Sequence, residues 1–283
     1  MTRSGQNSIE RIIATVKKAR VADLRKNLRV SEQDIIEDAS DGVGALDLID
    51  DASTLMESGC GLFEREVLDA TGEPWTSFDR YEAYAALWYT FRSPDAVGIP
   101  STIGYFLYNA LARDLTGRVA FMTKLGLHRM HHGRAPFAED SDDYPAAMFA
   151  IWLGAVASKD RRRTKIPLVK PFRELADSWS KPADLRPIAD YHLKELKSEG
   201  EFRYTPYELI PVELAAIREV RDSAGLKTVW PEDHPLVSNP VAQAYLGRPK
   251  GKFKPRQDAI YKIAVDALRK EKLIRAGVDP WKV

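Results

Sequence analysis

The spacing of apolar residues is helical along almost the whole chain. Apolar side chains recur every three or four residues, which is the spacing of one buried face of an α-helix. The segments with this pattern include FDRYEAYAALWYTF, STIGYFLYNALARDL, RVAFMTKLGLHRMHH, YPAAMFAIWLGAVAS and PVELAAIREVRDSAG. Only KTVWP, residues 227–231, looks extended, and one short strand cannot form a sheet. The pattern predicts an all-α fold, a multi-helix bundle or array with at most one short extended segment.

Glycine residues mark the predicted ends of several helices. Three helical segments end at a glycine in the C-cap position: Gly200, Gly225 and Gly277. Breaks in the helical pattern are also predicted at four glycines nearer the start of the chain: Gly42, Gly44, Gly59 and Gly61. The best linker candidate is SKDRRRTKIP, residues 158–167. We therefore expect a single all-helical domain over residues 1–283, with a candidate subdivision near 158–167.

The composition is that of a globular protein without membrane spans. Hydrophobic residues make up 44% of the 283 residues and aromatic residues 10%. No run of eighteen uncharged apolar residues is present, and the first residues, MTRSGQNSIERII, lack the apolar core of a signal peptide. Cys60 is the one cysteine, so an internal disulfide cannot form. These features predict a cytoplasmic protein that is not associated with a membrane.

The formal net charge of +1 hides a strong segregation of charge along the chain. Residues 1–29 carry eight basic residues against two acidic ones, and residues 248–275 carry ten against three. Residues 31–79 carry fourteen acidic residues against Arg65 alone. Such asymmetry indicates either charges that neutralise one another in the fold or an acidic face kept for a basic partner.

Three of the five histidines stand together, at positions that share one face of a helix. His128, His131 and His132 are spaced i, i+3 and i+4, as two or three metal ligands on a helix would be. The cluster comes just before Gly133, however, and cationic side chains in a last turn also favour the helix dipole. No Glu-x-x-His or His-Glu-x-x-His motif accompanies them. The helix-end interpretation is favoured, and a metal-dependent enzyme using these histidines stays an alternative.

Other catalytic and binding motifs are absent from the sequence. Cys60 has no assignable histidine partner, and no nucleophile elbow, phosphate-binding loop or zinc-type cysteine pair occurs. We therefore expect no enzymatic activity and no cofactor. The basic C-terminal segment, residues 247–275, mixes cations with Phe253 and Tyr261 and supports a second alternative, a helical protein that binds nucleic acid. Because the segment also has an ordinary apolar face, nucleic acid is the less favoured partner.

Acidic residues form the favoured candidate for a binding surface. Carboxylates in two clusters could steer a basic protein partner and occupy its substrate cleft. The residues predicted to make this contact are Asp47, Asp50, Asp51, Glu57, Glu139, Asp140, Asp142 and Asp143.

Residues 204–242, YTPYELIPVELAAIREVRDSAGLKTVWPEDHPLVSNPVA, resemble the C-terminal part of the helical immunity proteins that accompany bacterial polymorphic toxins. The segments YEAYAALWYTFRSPD and YPAAMFAIWLGAVASKD occur at compatible places, so the resemblance covers about half of the chain. It implies a cytoplasmic protein that binds a cognate toxin and blocks its active site. The family supplies no catalytic or contact residues, so the acidic contacts rest on charge alone. We expect an immunity protein that neutralises a secreted antibacterial toxin, for instance a nuclease with a basic active-site cleft, by stoichiometric binding.

Overall fold

A computed structural model describes residues 3–78, 100–113, 116–131, 144–198, 200–202, 207–247 and 258–272. These residues are mainly helical, as the sequence predicts. In chain order the elements are α1 (Arg3–Val16), α2 (Val21–Asp41), α3 (Ala45–Asp69), α4 (Pro100–Ala112), α5 (Thr116–His131), α6 (Pro145–Ala157), a 3₁₀ helix (Arg161–Lys165), α7 (Phe172–Asp177), β1 (Ala183–Asp184), α8 (Arg186–Lys197), α9 (Val212–Ser223), β2 (Thr228–Val229), α10 (Pro235–Ser238), α11 (Pro240–Leu246) and α12 (Ala259–Lys270). The all-α prediction is confirmed. In this part of the chain, no helix combines the length and apolarity needed to cross a membrane.

The chain divides into two compact units. Unit 1 comprises Met1–Ile12 and Ile99–Gly251, and unit 2 comprises Ile13–Gly98 and Lys252–Val283. Residues 158–167, the candidate subdivision in the sequence, lie inside unit 1, where the 3₁₀ helix packs on α6. The boundaries between the two units lie at residues 12–13, 98–99 and 251–252.

Unit 2 is organised by the hairpin of α2 and α3, with α12 packed on both helices. Gly42 ends α2 in the left-handed conformation, with φ of 81°, and its N–H donates to the carbonyl of Asp38. The predicted break at this point is confirmed. The breaks predicted at Gly59 and Gly61 are wrong, since α3 runs through both without interruption. A Cβ added at Gly61 would lie 3.8 Å from Cδ2 of Leu24, so this glycine faces α2.

The start of α3 is fixed to α12 by a side chain. The N–H of Ala45 donates to Oε1 of Glu271, which follows α12, over 2.7 Å. The first N–H groups of a helix have no partner within it, so this carboxylate satisfies one of them. The apolar seam of the three helices contains Leu28, Ile35, Leu48, Leu55, Leu62, Ile260, Ala264 and Leu268, all buried. The hairpin is thus held along its length and at its turn.

Unit 1 has α6 at its centre. Every residue from Pro145 to Ala155 of α6 is buried, as expected of a helix that is apolar all round. Helix α4 packs against α6 and α9, and α5 packs against α4 and α6. Gly104 of α4 allows this helix to approach the backbone of α6 closely, because a Cβ there would lie 2.4 Å from Cα of Ala147.

Two short strands pair beside this helical core. The extended segment predicted at 227–231 is confirmed as β2, but it pairs in parallel with β1, a strand that the sequence analysis missed. Arg221 of α9 is fully buried and joins the flanks of both strands. Its guanidinium donates to the carbonyl oxygens of Trp179, Lys181 and Lys227 over 2.6, 2.6 and 2.9 Å. The sheet is therefore stabilised by a side chain of a helix as well as by its own ladder.

The predicted helix ends at Gly200 and Gly225 are confirmed. Helix α8 ends at Lys197, and the N–H of Gly200 returns to the carbonyl of Glu195. Helix α9 ends at Ser223, and Gly225 has φ of 69°. Helix α12 ends at Lys270, and Gly277 lies outside the described residues.

Candidate functional site

The acidic contact residues that the sequence predicts are only partly covered by the structure. Asp47 lies in the first turn of α3 and is exposed. Asp50, Asp51 and Glu57 lie on α3, but their side chains are outside the described part. The second cluster is wholly outside it: Glu139, Asp140, Asp142 and Asp143. Of the eight predicted contact residues, Asp47 is therefore the one whose side chain is described.

The alternative sites also fall partly outside the described residues. His128 and His131 lie in the last turn of α5, their side chains are not described, and His132 lies outside the described residues. Among the residues that are described, no three His, Cys, Asp or Glu side chains are grouped so as to hold a metal. The C-terminal basic segment is described over residues 258–272, where α12 buries its apolar face and leaves Arg269 and Lys270 exposed.

The structure extends the acidic surface from α3 back onto the end of α2. We call "acidic end" the carboxylates at the α2–α3 turn: Asp34, Glu37, Asp38, Asp41 and Asp47. All are exposed except Asp38, which is half-buried. The last turn of α2 contains no basic residue. Within the described part of the chain these five carboxylates make no ion pair. Glu37 accepts a hydrogen bond from Nε2 of Gln33 over 2.7 Å.

The position of these carboxylates on α2 is electrostatically unfavourable. The C-terminal end of a helix carries partial negative charge, so an acidic side chain in the last turn destabilises the helix by about 0.3–1 kcal/mol. Asp34 and Asp38 are one turn apart, as are Glu37 and Asp41, and each like-charged pair opposes the helix by about 0.2–0.5 kcal/mol. The acidic end is therefore not explained by the stability of α2.

Exposed apolar surface lies on the same helix. Val30 and Ile36 are large apolar side chains that are 50% and 41% exposed. Ile36 borders a groove of about 420 Å³ between α2 and the start of α12, with Ile260 on the opposite wall. Glu32 and Asp258 also line the groove. Arg29 and Gln33 complete its polar lining, so the surface combines carboxylates with a groove of mixed polar and apolar character.

The hairpin that carries this surface is fastened at its other end. Glu66 of α3 is 3% exposed and binds Nη2 of Arg25 from α2 over 2.9 Å. Ser77 donates to the second oxygen of Glu66 over 3.2 Å. Nε of Arg65 donates to the carbonyl of Ala19, just before α2, over 2.9 Å. Because both helices are fixed there, the acidic end is presented by a rigid element.

A buried polar network in unit 1 carries the most perturbed titratable groups, and sequence reasoning missed it. The carboxylate of Glu201 accepts from the backbone N–H groups of Ala146 and Ala147 over 2.9 and 2.8 Å, and from the hydroxyl of Tyr191 over 2.9 Å. The hydroxyl of Tyr105 donates to the carbonyl of Glu201. Burial raises the pKa of Glu201 to about 7, although the three donors act in the opposite direction. Glu201 thereby satisfies the first N–H groups of α6.

A histidine–carboxylate pair lies beside Glu201. Nδ1 of His192 is 2.9 Å from Oε1 of Glu213, and both side chains are fully buried. The imidazole stacks on Phe202 with 3.8 Å between ring centroids. No short sequence motif links residues 192 and 213, so only the fold could bring them together. The pair connects α8 to α9 and is enclosed by protein.

A second histidine takes part in a similar contact at the start of α10. His234 accepts from the N–H of Leu236 over 3.2 Å and lies 3.3 Å from a carboxylate oxygen of Asp190. Burial lowers the pKa of His234, so the neutral ring that caps α10 is favoured. This histidine also serves the fold.

Comparison with known proteins gives no relative. No protein-family model, curated protein or solved structure matches the chain. The acidic end, with its exposed carboxylates, is the candidate site.

Proposed function

We propose that this chain is an immunity protein that binds a basic toxin through the acidic end and neutralises it stoichiometrically in the cytoplasm of the producing cell. The observation that carries the proposal is the excess of carboxylates in the last turns of α2, where no basic residue accompanies them. Carboxylates that serve solubility alone can stand anywhere on an exposed face. These carboxylates lie at the C-terminal end of α2, where their interaction with the helix dipole is unfavourable. A position that lowers stability favours a role in binding.

The chemistry of the acidic end favours a partner with a positively charged surface. Opposite charges on two proteins accelerate their encounter and fix their relative orientation, but supply less of the affinity. The groove beside Ile36 could take an anchor side chain of the partner, with its stem against Ile36 and Ile260 and its charged head near Glu32 and Asp258. A lysine or arginine of the toxin has both an apolar stem and a charged head.

A nuclease or another enzyme that acts on phosphate-bearing substrates would present such a surface. Its active-site cleft must attract polyanions, and the carboxylates of the acidic end would compete for the same cations. The protein would then act by occlusion and needs no catalytic group of its own. The immunity role also agrees with the family resemblance of residues 204–242, which lie in unit 1.

The first experiment is co-expression with the product of the neighbouring gene, which carries the affinity tag. We expect the full chain to co-purify at one copy per toxin. The triple variant Asp34→Lys, Glu37→Lys, Asp41→Lys should lose co-purification and protection of the cell. The control Glu10→Lys, Asp177→Lys, Glu232→Lys makes the same change in net charge at exposed acids elsewhere and should retain both.

Two results would overturn the proposal. One is the absence of binding between the wild-type chain and that product. The other is equal protection by both triple variants, because the acidic end would then have no special role.

A further inference from the structure

A short basic turn follows α6 in unit 1. We define the basic turn as Lys159–Lys165, which has the sequence KDRRRTK and ends in the 3₁₀ helix. It contains five cationic side chains and one carboxylate. A 3₁₀ helix rises about 2.0 Å per residue, so the Cα atoms of Arg161 and Lys165 are about 8 Å apart. The turn is therefore a compact concentration of positive charge.

The single carboxylate of the basic turn, that of Asp160, binds a residue of the turn itself. Asp160 caps the 3₁₀ helix by accepting from the N–H of Arg162 over 2.9 Å, and it binds Nη2 of the same residue over 2.7 Å. The side-chain and backbone hydrogen bonds from Arg162 hold the pKa of Asp160 at about 2, so the carboxylate stays ionised. This pair leaves four other cations in the turn.

Among the residues that the structure describes, none of those four cations forms a close ion pair, although Arg163 lies near enough to Asp160 to interact with its charge. Lys159, Arg161 and Lys165 are exposed, and Arg163 is half-buried. Cations after a helix C-terminus interact favourably with its dipole, but the effect is confined to the last turn. Further like charges within 8 Å repel one another. The dipole of α6 therefore accounts for one or two of the cations and not for four.

The turn is held in place on both sides. Before it, helix α6 is buried from Pro145 to Ala155, and the N–H of Asp160 donates to the carbonyl of Ala155 over 2.8 Å. After it, Ile166 and Leu168 are buried at 7% exposure each. Because the backbone is anchored at both ends, the cations lose little conformational freedom when they bind a ligand.

The surroundings of the turn fit a polyanion better than a protein. A protein interface normally has large apolar side chains at its centre. The large apolar side chains that are exposed in the described part are Val30, Ile36 and Val229, none of which is in the turn or next to it in sequence. A nucleic-acid backbone needs only cations with hydrogen-bond donors, and arginine forks match phosphate oxygens.

We propose that the basic turn binds the phosphate backbone of nucleic acid without reading the base sequence. Arg161, Arg163 and Lys165 supply the direct phosphate contacts, and the Asp160–Arg162 pair keeps the turn in shape. The turn carries neither an aromatic side chain for base stacking nor a recognition helix, so base specificity is not expected. This proposal concerns unit 1 and does not depend on the toxin proposed for the acidic end.

The test measures binding of the full chain to two fluorescent 30-base-pair duplexes of unrelated sequence, by anisotropy, between 50 and 200 mM NaCl. With about three phosphate contacts, the plot of log Kd against log salt should have a slope of about 3, equal for both duplexes. The variant Arg161→Gln, Arg163→Gln, Lys165→Gln should bind at least tenfold more weakly at 50 mM NaCl. Its slope should fall by about 2 to 3.

A matched variant controls for net charge. Lys17→Gln, Lys18→Gln, Lys26→Gln removes three exposed cations from unit 2 and should change the affinity less than threefold. Circular dichroism and thermal unfolding confirm that both variants are folded. No binding at 50 mM NaCl, equal loss in both variants, or strong preference for one duplex would overturn the proposal. It would also be overturned if phosphatidylserine vesicles bind the turn and the duplexes do not.

Discussion

Neutralising part of the acidic end should stabilise the protein. The variant Glu37→Gln, Asp41→Asn removes two exposed carboxylates that are one turn apart at the end of α2. Relief of their mutual repulsion contributes about 0.2–0.5 kcal/mol. Relief of the unfavourable dipole interaction at Asp41 contributes about 0.3–1 kcal/mol. The amide at 37 still accepts the hydrogen bond from Gln33, so we expect the free energy of unfolding to rise by about 0.5–1.5 kcal/mol at low salt.

Urea unfolding in 20 mM and 1 M NaCl measures this gain and its electrostatic origin. At 1 M the Debye length is about 3 Å, so most of the gain should disappear. Asp23→Asn is the matched control, because Asp23 lies in the first turn of the same helix, where a carboxylate is favourable. That variant should lose about 0.3–1 kcal/mol. A double variant that is less stable than wild type at low salt would refute the reasoning, since the carboxylates would then be held by contacts within the fold.

Two further predictions concern unit 1. Burial raises the pKa of Glu201 from its ordinary 4.5 to about 7, so the folded chain holds this proton more tightly than the unfolded chain. The stability contributed by protonated Glu201 is therefore fully present below pH 4.5 and decreases by about 3 kcal/mol as the pH rises through 7. Urea unfolding between pH 4 and 8 should show this decrease in the wild type and not in Glu201→Gln. Gly104→Ala should lower the free energy of unfolding by about 1–3 kcal/mol, because the new Cβ would lie 2.4 Å from backbone Cα of Ala147. In Gly61→Ala the new Cβ would meet only Cδ2 of Leu24, at 3.8 Å, so the free energy of unfolding should rise by about 0.5–1 kcal/mol. Unchanged stability in both glycine variants would contradict this account of the helix packing.

Local rules predicted much of the fold. Apolar spacing identified α9 and α12, and glycines after a helix identified the ends at Gly200 and Gly225. The same rules failed where tertiary packing decides. Gly59 and Gly61 resemble helix breakers in the sequence, yet α3 continues through them against α2. Strand β1 is too short to leave a pattern, and it depends on pairing with β2 and on the buried side chain of Arg221.

The candidate site was only partly predictable from the sequence, because the positions of its side chains depend on where the helices begin and end. The excess of acidic residues is visible in the composition, but its meaning depends on which carboxylates lie at a helix end. The structure places Asp34, Glu37, Asp38 and Asp41 at the C-terminal end of α2, where they are unfavourable, and places Asp47 in the first turn of α3. The contact of Glu201 with the start of α6 and that of His192 with Glu213 could not be predicted from sequence, since both arise from tertiary packing.

The most direct test of the proposed function is the association rate between the chain and the neighbouring gene's product, measured against ionic strength. If the acidic end steers a basic toxin, Glu37→Gln, Asp41→Asn should slow association at least tenfold at 50 mM NaCl. The difference should shrink as salt rises to 0.5 M, and Asp23→Asn should associate as wild type does. An association rate that the double variant leaves unchanged at low salt would contradict the claim that the acidic end is the binding surface.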